Sequence, residues 1–183
     1  MKYTSAAEAA GLIRSHDSVY IQGSTSIPET LVAAMAARGP ELTGVKLYSG
    51  FAVGRADAPY CRPEYKDAFL VNSLFVANNI RRWLAEGYGQ TIPAFLGEIP
   101  RLFRDGTLPV DVALLNVSPP NEEGYCSYGV SADLAVSAVE CAKTVIAQVN
   151  PHMPFSYGDA LIHVSRIAAA VEADEPLVEV PTA

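Results

Sequence analysis

Three groups of residues carry the side chains that could do chemistry. The first is Gly124-Tyr-Cys-Ser-Tyr-Gly129. Ser127 sits there at GxxSxG spacing, one residue off the GxSxG that presents a hydroxyl on a strained strand-to-helix turn. Cys126 could attack as a thiolate, but no basic residue lies near it in sequence to lower its pKa. The second group is the carboxylates Glu98, Glu122 and Glu123, which could serve as nucleophiles or bases; Glu122 and Glu123 are adjacent in a loop, a pattern that fits solvated acids better. The third is the histidines His16, His152 and His163, none of which has metal-ligand spacing or a partnered constellation. The segment from Gly23 to Pro28 has one glycine and no lysine. It is therefore neither a dinucleotide fingerprint nor a P-loop, although it follows a strand and feeds a helix, where anions are often held.

The elements that must position these residues alternate. A hydroxyl at Thr4 or Ser5 caps a first helix reaching about His16. Residues 18–22 form a buried strand, and a second helix with Pro28 near its first turn runs to about Arg38. Residues 45–48 and 69–76 give further strands, separated by a loop over 50–63 rich in Gly, Ala and Pro. Helices follow over 79–86 and 95–105. Residues 110–117 are almost continuously apolar, as expected of a strand with helices on both sheet faces. After a loop over 118–131, a helix over about 132–141 leads to a strand at 144–149. Strand–helix alternation implies right-handed crossovers, so the fold class is α/β, an open, mostly parallel sheet with helices on both faces. The 110–117 and 144–149 strands should be neighbours within it. The domain is expected over 1–170. Residues 171–183, acidic and broken by prolines, read as a linker or tail, and hence as the end of one half of a two-part enzyme or a piece of a longer chain.

Composition excludes several function classes. Among 183 residues half are hydrophobic and 18% charged, with a net charge of −7, so disorder and a broad nucleic-acid footprint are both disfavoured. Three cysteines, Cys61, Cys126 and Cys141, show no disulfide or zinc spacing and fit a reducing compartment. No apolar run approaches the ~18 residues of a membrane span, and the N-terminus has no signal-peptide pattern. A cytoplasmic location, with no membrane and no nucleic-acid partner, is expected.

The loop after the best strand is the most informative stretch. Asn116-Val-Ser-Pro-Pro-Asn-Glu-Glu-Gly-Tyr-Cys-Ser-Tyr-Gly-Val-Ser131 leaves the C-terminal end of a central strand, where open α/β sheets bind ligands. Its prolines stiffen it, its glycines permit close backbone approach, and a rigid turn before a helix is the simpler alternative. Together with Ala142-Lys-Thr-Val-Ile-Ala-Gln-Val-Asn150, Met153-Pro154, Gly158-Asp159, Asn79, Arg81 and Ile92-Pro-Ala-Phe-Leu-Gly-Glu-Ile-Pro100, this loop resembles the acetyl-CoA hydrolase/transferase family over about residues 5 to 180. The family usually carries Asp where this chain has Asn121 and His where it has Glu123.

The resemblance implies the N-terminal half of a CoA-transferase or acyl-CoA hydrolase, using acyl-CoA and a small carboxylate. It implies no cofactor and no metal, coenzyme A being a substrate. The catalytic glutamate would belong to a second CoA-transferase half, in cis or trans, so no catalytic residue is assigned here and the isolated chain is expected to be inactive. This half would supply a wall of the acyl pocket, with Gln22, Gly23 and Ser24 at one strand end and Ser118, Pro119, Pro120 and Gly124 at another. Homo-oligomerisation or pairing through the 118–131 face is expected, with Tyr125 and Tyr128 in the contact. A ligand-binding module without chemistry and an esterase-like hydrolase are the alternatives.

Overall fold

The structure, a computed structural model, describes residues 1–53 and 58–179. Part of the 50–63 loop and the last four residues of the 171–183 segment therefore lie outside the described residues. Seven parallel strands form one sheet: β1 (Ser18–Ile21), β2 (Val45–Ser49), β3 (Phe69–Ser73), β4 (Gln90–Thr91), β5 (Val112–Val117), β7 (Thr144–Val149) and β9 (Ala169–Glu172). Their order is β4-β3-β2-β1-β5-β7-β9. The chain builds outward from β1 to β4, then returns to lay β5 against the other side of β1. That reversal is the topological switch point at which open α/β sheets bind ligands. As expected, β5 and β7 are neighbours, paired from Val112–Thr144 to Val117–Val149.

Residue parity along the strands separates two cores. Val19, Leu47, Leu114 and Ile146 face α1 (Ala6–Ala10), α2 (Glu29–Ala37) and α3 (Asn78–Ala85). Tyr20, Tyr48, Leu115 and Ala147 face α4 (Ile99–Arg104) and α5 (Asp133–Cys141). Both faces of the sheet are thus covered, which is why its strands are nearly all apolar. A small antiparallel pair, β6 (Tyr125–Ser127) with β8 (Leu161–His163), lies outside the main sheet.

Several segments differ from their sequence reading, among them the strand expected over 69–76, which ends at Ser73. The first helix stops at Ala10, and Gly11 closes it with its N–H on Ala7; Ser5 and Glu8 begin it with reciprocal capping bonds. The helix expected from Phe95 starts at Ile99, because Glu98 folds back to accept a bond from the Phe95 N–H. The 118–131 loop contains β6. Finally, the segment read as a linker from Val171 begins inside β9, which runs through Glu172.

The 110–117 strand starts two residues late because Asp111 ties strand ends together. Its Oδ2 accepts from the Ser18 N–H at 2.9 Å and its Oδ1 from the Lys143 ammonium at 2.7 Å. Its backbone oxygen accepts from the Lys143 and Thr144 N–H groups. Burial pushes its carboxyl pKa up, but Lys143 and the Ser18 N–H more than offset this and hold it below the usual value. A lowered folded pKa contributes stability that is complete above the unfolded value, about 4, and is lost as pH falls through the folded one. Lys143 is largely exposed, so the Ser18 bond is the main contributor. Asp111→Ala should cost about 2 kcal/mol in urea unfolding at neutral pH, and the difference from the wild type should shrink toward pH 2.

Candidate functional site

β1 ends at the switch point in Gln22-Gly23-Ser24, and the three residues do different things. Gln22 is fully buried. Its Oε1 accepts from the Asn116 N–H at 2.7 Å, and its Nε2 donates to the carbonyls of Ser131 at 2.8 Å and Tyr128 at 3.3 Å. Both ends of its amide are thus taken by backbone, so Gln22 braces β5 and the start of α5 rather than presenting a free group. Gly23 lies so close to β2 that a Cβ would stand 2.8 Å from the Phe51 carbonyl oxygen. Ser24 adopts a left-handed φ of 55°, a conformation that costs a non-glycine residue about 1 kcal/mol or more. It is held there by its N–H on the Phe51 carbonyl and by the Val53 N–H on its own carbonyl at 2.9 Å.

A cavity of about 530 Å³ opens beside Gly23 and Ser24. Phe51 beyond β2, Phe75 beyond β3, Phe95 and Leu96 before α4, and Ile99 and Leu134 on the helices form its apolar walls. Phe51 and Phe75 meet edge to face, with centroids 5.0 Å apart. Its polar groups are few, as in most small-molecule sites. Asp133, at the start of α5, accepts from the Leu134 N–H at 2.7 Å and the Ser131 hydroxyl at 3.2 Å. Tyr20, on the floor, has its hydroxyl pKa pushed well up by burial, with Asp133 adding to the effect, so at neutral pH it is an uncharged hydrogen-bonding group. A second hollow, of about 300 Å³, lies beside Leu70 and Gly89 at the β3–β4 edge. The larger cavity is the candidate site because it sits at the C-terminal strand ends.

The second group of expected wall residues lies elsewhere. Ser118 is buried and holds the end of β6, its hydroxyl accepting from the Ser127 N–H at 2.8 Å. Pro119 and Pro120 are exposed in the turn that follows. Gly124 takes a φ of 81° against the His163 ring, a turn position that favours glycine. Of the seven residues, only Gly23 and Ser24 line the cavity, and Gln22 supports it from beneath. Phe51, Phe75, Phe95 and Leu96 were missed. The available signal was an aromatic placed just past a strand end, as in Ser49-Gly50-Phe51.

The alternative nucleophiles do not hold. Cys126 is fully buried, and burial pushes its thiol up to about 11, so it is not a thiolate at neutral pH. Ser127 is also fully buried; its hydroxyl donates to the Ser156 carbonyl and accepts from the Gly129 and Ser156 N–H groups. Glu122 and Glu123 are exposed in the turn before β6, and Glu98 is exposed before α4. His152 pairs with Asp174 at 2.7 Å and His163 with Ser165 at 2.8 Å. Among the described residues no three metal-ligating side chains cluster, and no helix is long and apolar enough to cross a membrane. Tyr128 is only 2% exposed within this chain. It therefore belongs to the α4–α5 core and not to a contact surface, contrary to the expectation from its loop.

The acetyl-CoA hydrolase/transferase N-terminal domain matches residues 1–181. The chain belongs to this family. It is 39% identical over 178 residues to the 4-hydroxybutyrate coenzyme A transferase of Clostridium kluyveri, covering 97% of this chain and 41% of that protein. RipA of Yersinia pestis superposes with a TM-score of 0.90 at 28% identity, covering 100% of this chain and 44% of that one. A 4-hydroxybutyrate CoA-transferase of Porphyromonas gingivalis gives 0.79 at 33% identity, with coverage of 98% and 41%. The chain thus spans 36% to 41% of the length of its first curated relatives, as an N-terminal domain of the family should.

A methyl group at Gly23 would meet backbone, which cannot swing aside like a side-chain end. Gly23→Ala should therefore force β1 and Phe51 apart, at about 1–3 kcal/mol. Urea unfolding would show that loss, and the Ser24 and Phe51 amide resonances should shift more than those of α1.

Proposed function

We propose that the chain forms the acyl-side wall of a CoA-transferase active site that a second half completes with its catalytic glutamate. One observation carries the reading. The switch-point cavity is apolar, has an uncharged tyrosine on its floor and is rimmed by exposed aromatic and aliphatic side chains, while no glutamate is among its described lining residues. Phe51, Phe75, Phe95 and Leu96 are all at least half exposed. Such a continuous apolar rim is characteristic of a surface that another body covers.

In the proposed cycle the second half's glutamate attacks the acyl-CoA carbonyl and expels CoA thiolate, leaving an acyl-glutamyl anhydride. The thiolate then attacks the glutamyl carbonyl, releasing the first acid and forming glutamyl-CoA. An incoming carboxylate reverses the two steps and leaves as its CoA thioester. This chain would hold the acyl group between Phe51, Phe75 and Leu134, with Ser24 and Tyr20 as hydrogen-bonding groups. Closure over the rim would exclude water, which would otherwise hydrolyse the anhydride and turn transfer into hydrolysis. The working protein is then a cytoplasmic assembly of both halves, acting on acyl-CoA and a small carboxylate. CoA-transfer assays of the chain alone, and joined to a second half, test the reading; turnover should require both.

A further inference from the structure

The opposite side of the sheet, at the C-terminal ends of β5 and β7, carries a polar crevice that the proposed reaction does not use. Asn116, Gln148 and Asn150 share the strand parity of Leu114 and Ile146, so they face α2 rather than the acyl cavity. Into this crevice the segment after β9 inserts Glu175. The Thr30 hydroxyl donates to its Oε1, and Gln148 Nε2 donates to its Oε2 at 3.0 Å. Asn150 Nδ2 donates to the Glu175 backbone carbonyl at 2.8 Å.

The donors are fixed before any carboxylate arrives. Gln148 is fully buried, and its Oε1 accepts from the Thr30 N–H at 3.1 Å, which leaves Nε2 pointing at the carboxylate. Thr30 lies in the first turn of α2, where the helix dipole favours negative charge and where Pro28 supplies no side-chain cap. Asn116, 2% exposed, also lines the crevice, as does Glu29, and the Asn116 Oδ1 has no partner among the described residues. The space left beside the seated segment is about 10 Å³, roughly one water. Glu175 and a second carboxylate therefore cannot be bound together.

We infer that Thr30 and Gln148 form a receptor for a small monocarboxylate, which the chain keeps filled with its own Glu175. The receptor stands independently of whether the chain transfers CoA. Size sets the ligand class: beyond the Cβ, the glutamate side chain has the heavy atoms of acetate. Glu175→Ala thus deletes one acetate's worth of atoms and leaves both donors in place.

The test is acetate titration of isotope-labelled chain, followed by NMR at constant ionic strength with chloride as the control anion. In E175A the Thr30 amide and the Gln148 side-chain amide should shift saturably, with affinity at least tenfold above that of the wild type. The T30V/E175A double variant, which keeps the Thr30 N–H bond but lacks the hydroxyl, should lose at least fivefold. Acetate binding equally well to E175A and the wild type, or equally well to E175A and T30V/E175A, would overturn the inference. Should E175A not fold, E175Q carries the test instead: its neutral amide weakens the bonds from Thr30 and Gln148, so acetate should shift the Thr30 and Gln148 amides with at least threefold higher affinity than in the wild type, and equal affinity would be just as contrary.

Discussion

Tyr128→Asp should come close to unfolding the chain. Tyr128 lies in the core formed by α4, α5 and the sheet, its N–H donating to the Ala160 carbonyl and its own carbonyl accepting from Gln22. Burial pushes its hydroxyl pKa far up, the Glu140 carboxylate adding to this and Arg166 opposing it, so the site strongly disfavours negative charge. Aspartate would remove most of the ring's buried area, leave a hole, and place there a carboxyl that must be either desolvated or neutralised. Losing a buried aromatic alone costs about 3–5 kcal/mol, and the polar group adds to it. A domain with about 5–15 kcal/mol in total would lose a large part of its margin. In urea the midpoint should fall by about 2 M, given a slope of about 2 kcal/mol per molar. Tyr125→Asp, three residues away on a side chain that is 37% exposed, should change stability by about 0.5 kcal/mol or less.

The contrast between these tyrosines shows where sequence reading ends. β1, β5 and β7 were legible because each is a nearly continuous apolar run without the alternation of a half-exposed strand, and strand–helix alternation then implies a parallel sheet. Tyr125 and Tyr128 lie in a loop whose one strand, β6, is three residues long and pairs with another of three. A run that short has no readable period, so inward and outward residues could not be told apart. β4, with two residues, was invisible for the same reason.

The site was partly legible. Gly23 and Ser24 follow a clear strand and stand where a switch point forms, and the strand order supplies the rest. The Ser118 to Gly124 turn follows an equally clear strand, but Ser118 and the β6–β8 pair fold it away from the cavity. The far wall comes from Phe51, Phe75 and Phe95, three aromatics on separate connections that only the tertiary fold brings together. Glu175 was hidden in a segment whose prolines and acids read as solvated, because its partners Thr30 and Gln148 are 145 and 27 positions away in sequence, respectively.

The second large effect expected is all-or-none activity. Asp133 is the one carboxylate among the cavity's described lining residues, and its bonds to the Ser131 hydroxyl and the Leu134 N–H tie it to the start of α5. On the proposed reading, with the glutamate supplied by a second half, the chain on its own should show no CoA transfer between acetyl-CoA and a short carboxylate. Joined to the part of the Clostridium kluyveri transferase that it does not match, it should gain turnover. Neither Glu98→Gln nor Glu123→Gln should abolish that turnover, since both glutamates lie outside the cavity lining. The most direct measurement is to incubate the joined protein with acyl-CoA, trap the glutamyl-CoA thioester, and map the modified peptide by mass spectrometry. The adduct should fall entirely in the second half, with every glutamate of this chain unmodified; an adduct on Glu98, Glu122, Glu123 or any other glutamate of this chain would contradict the account.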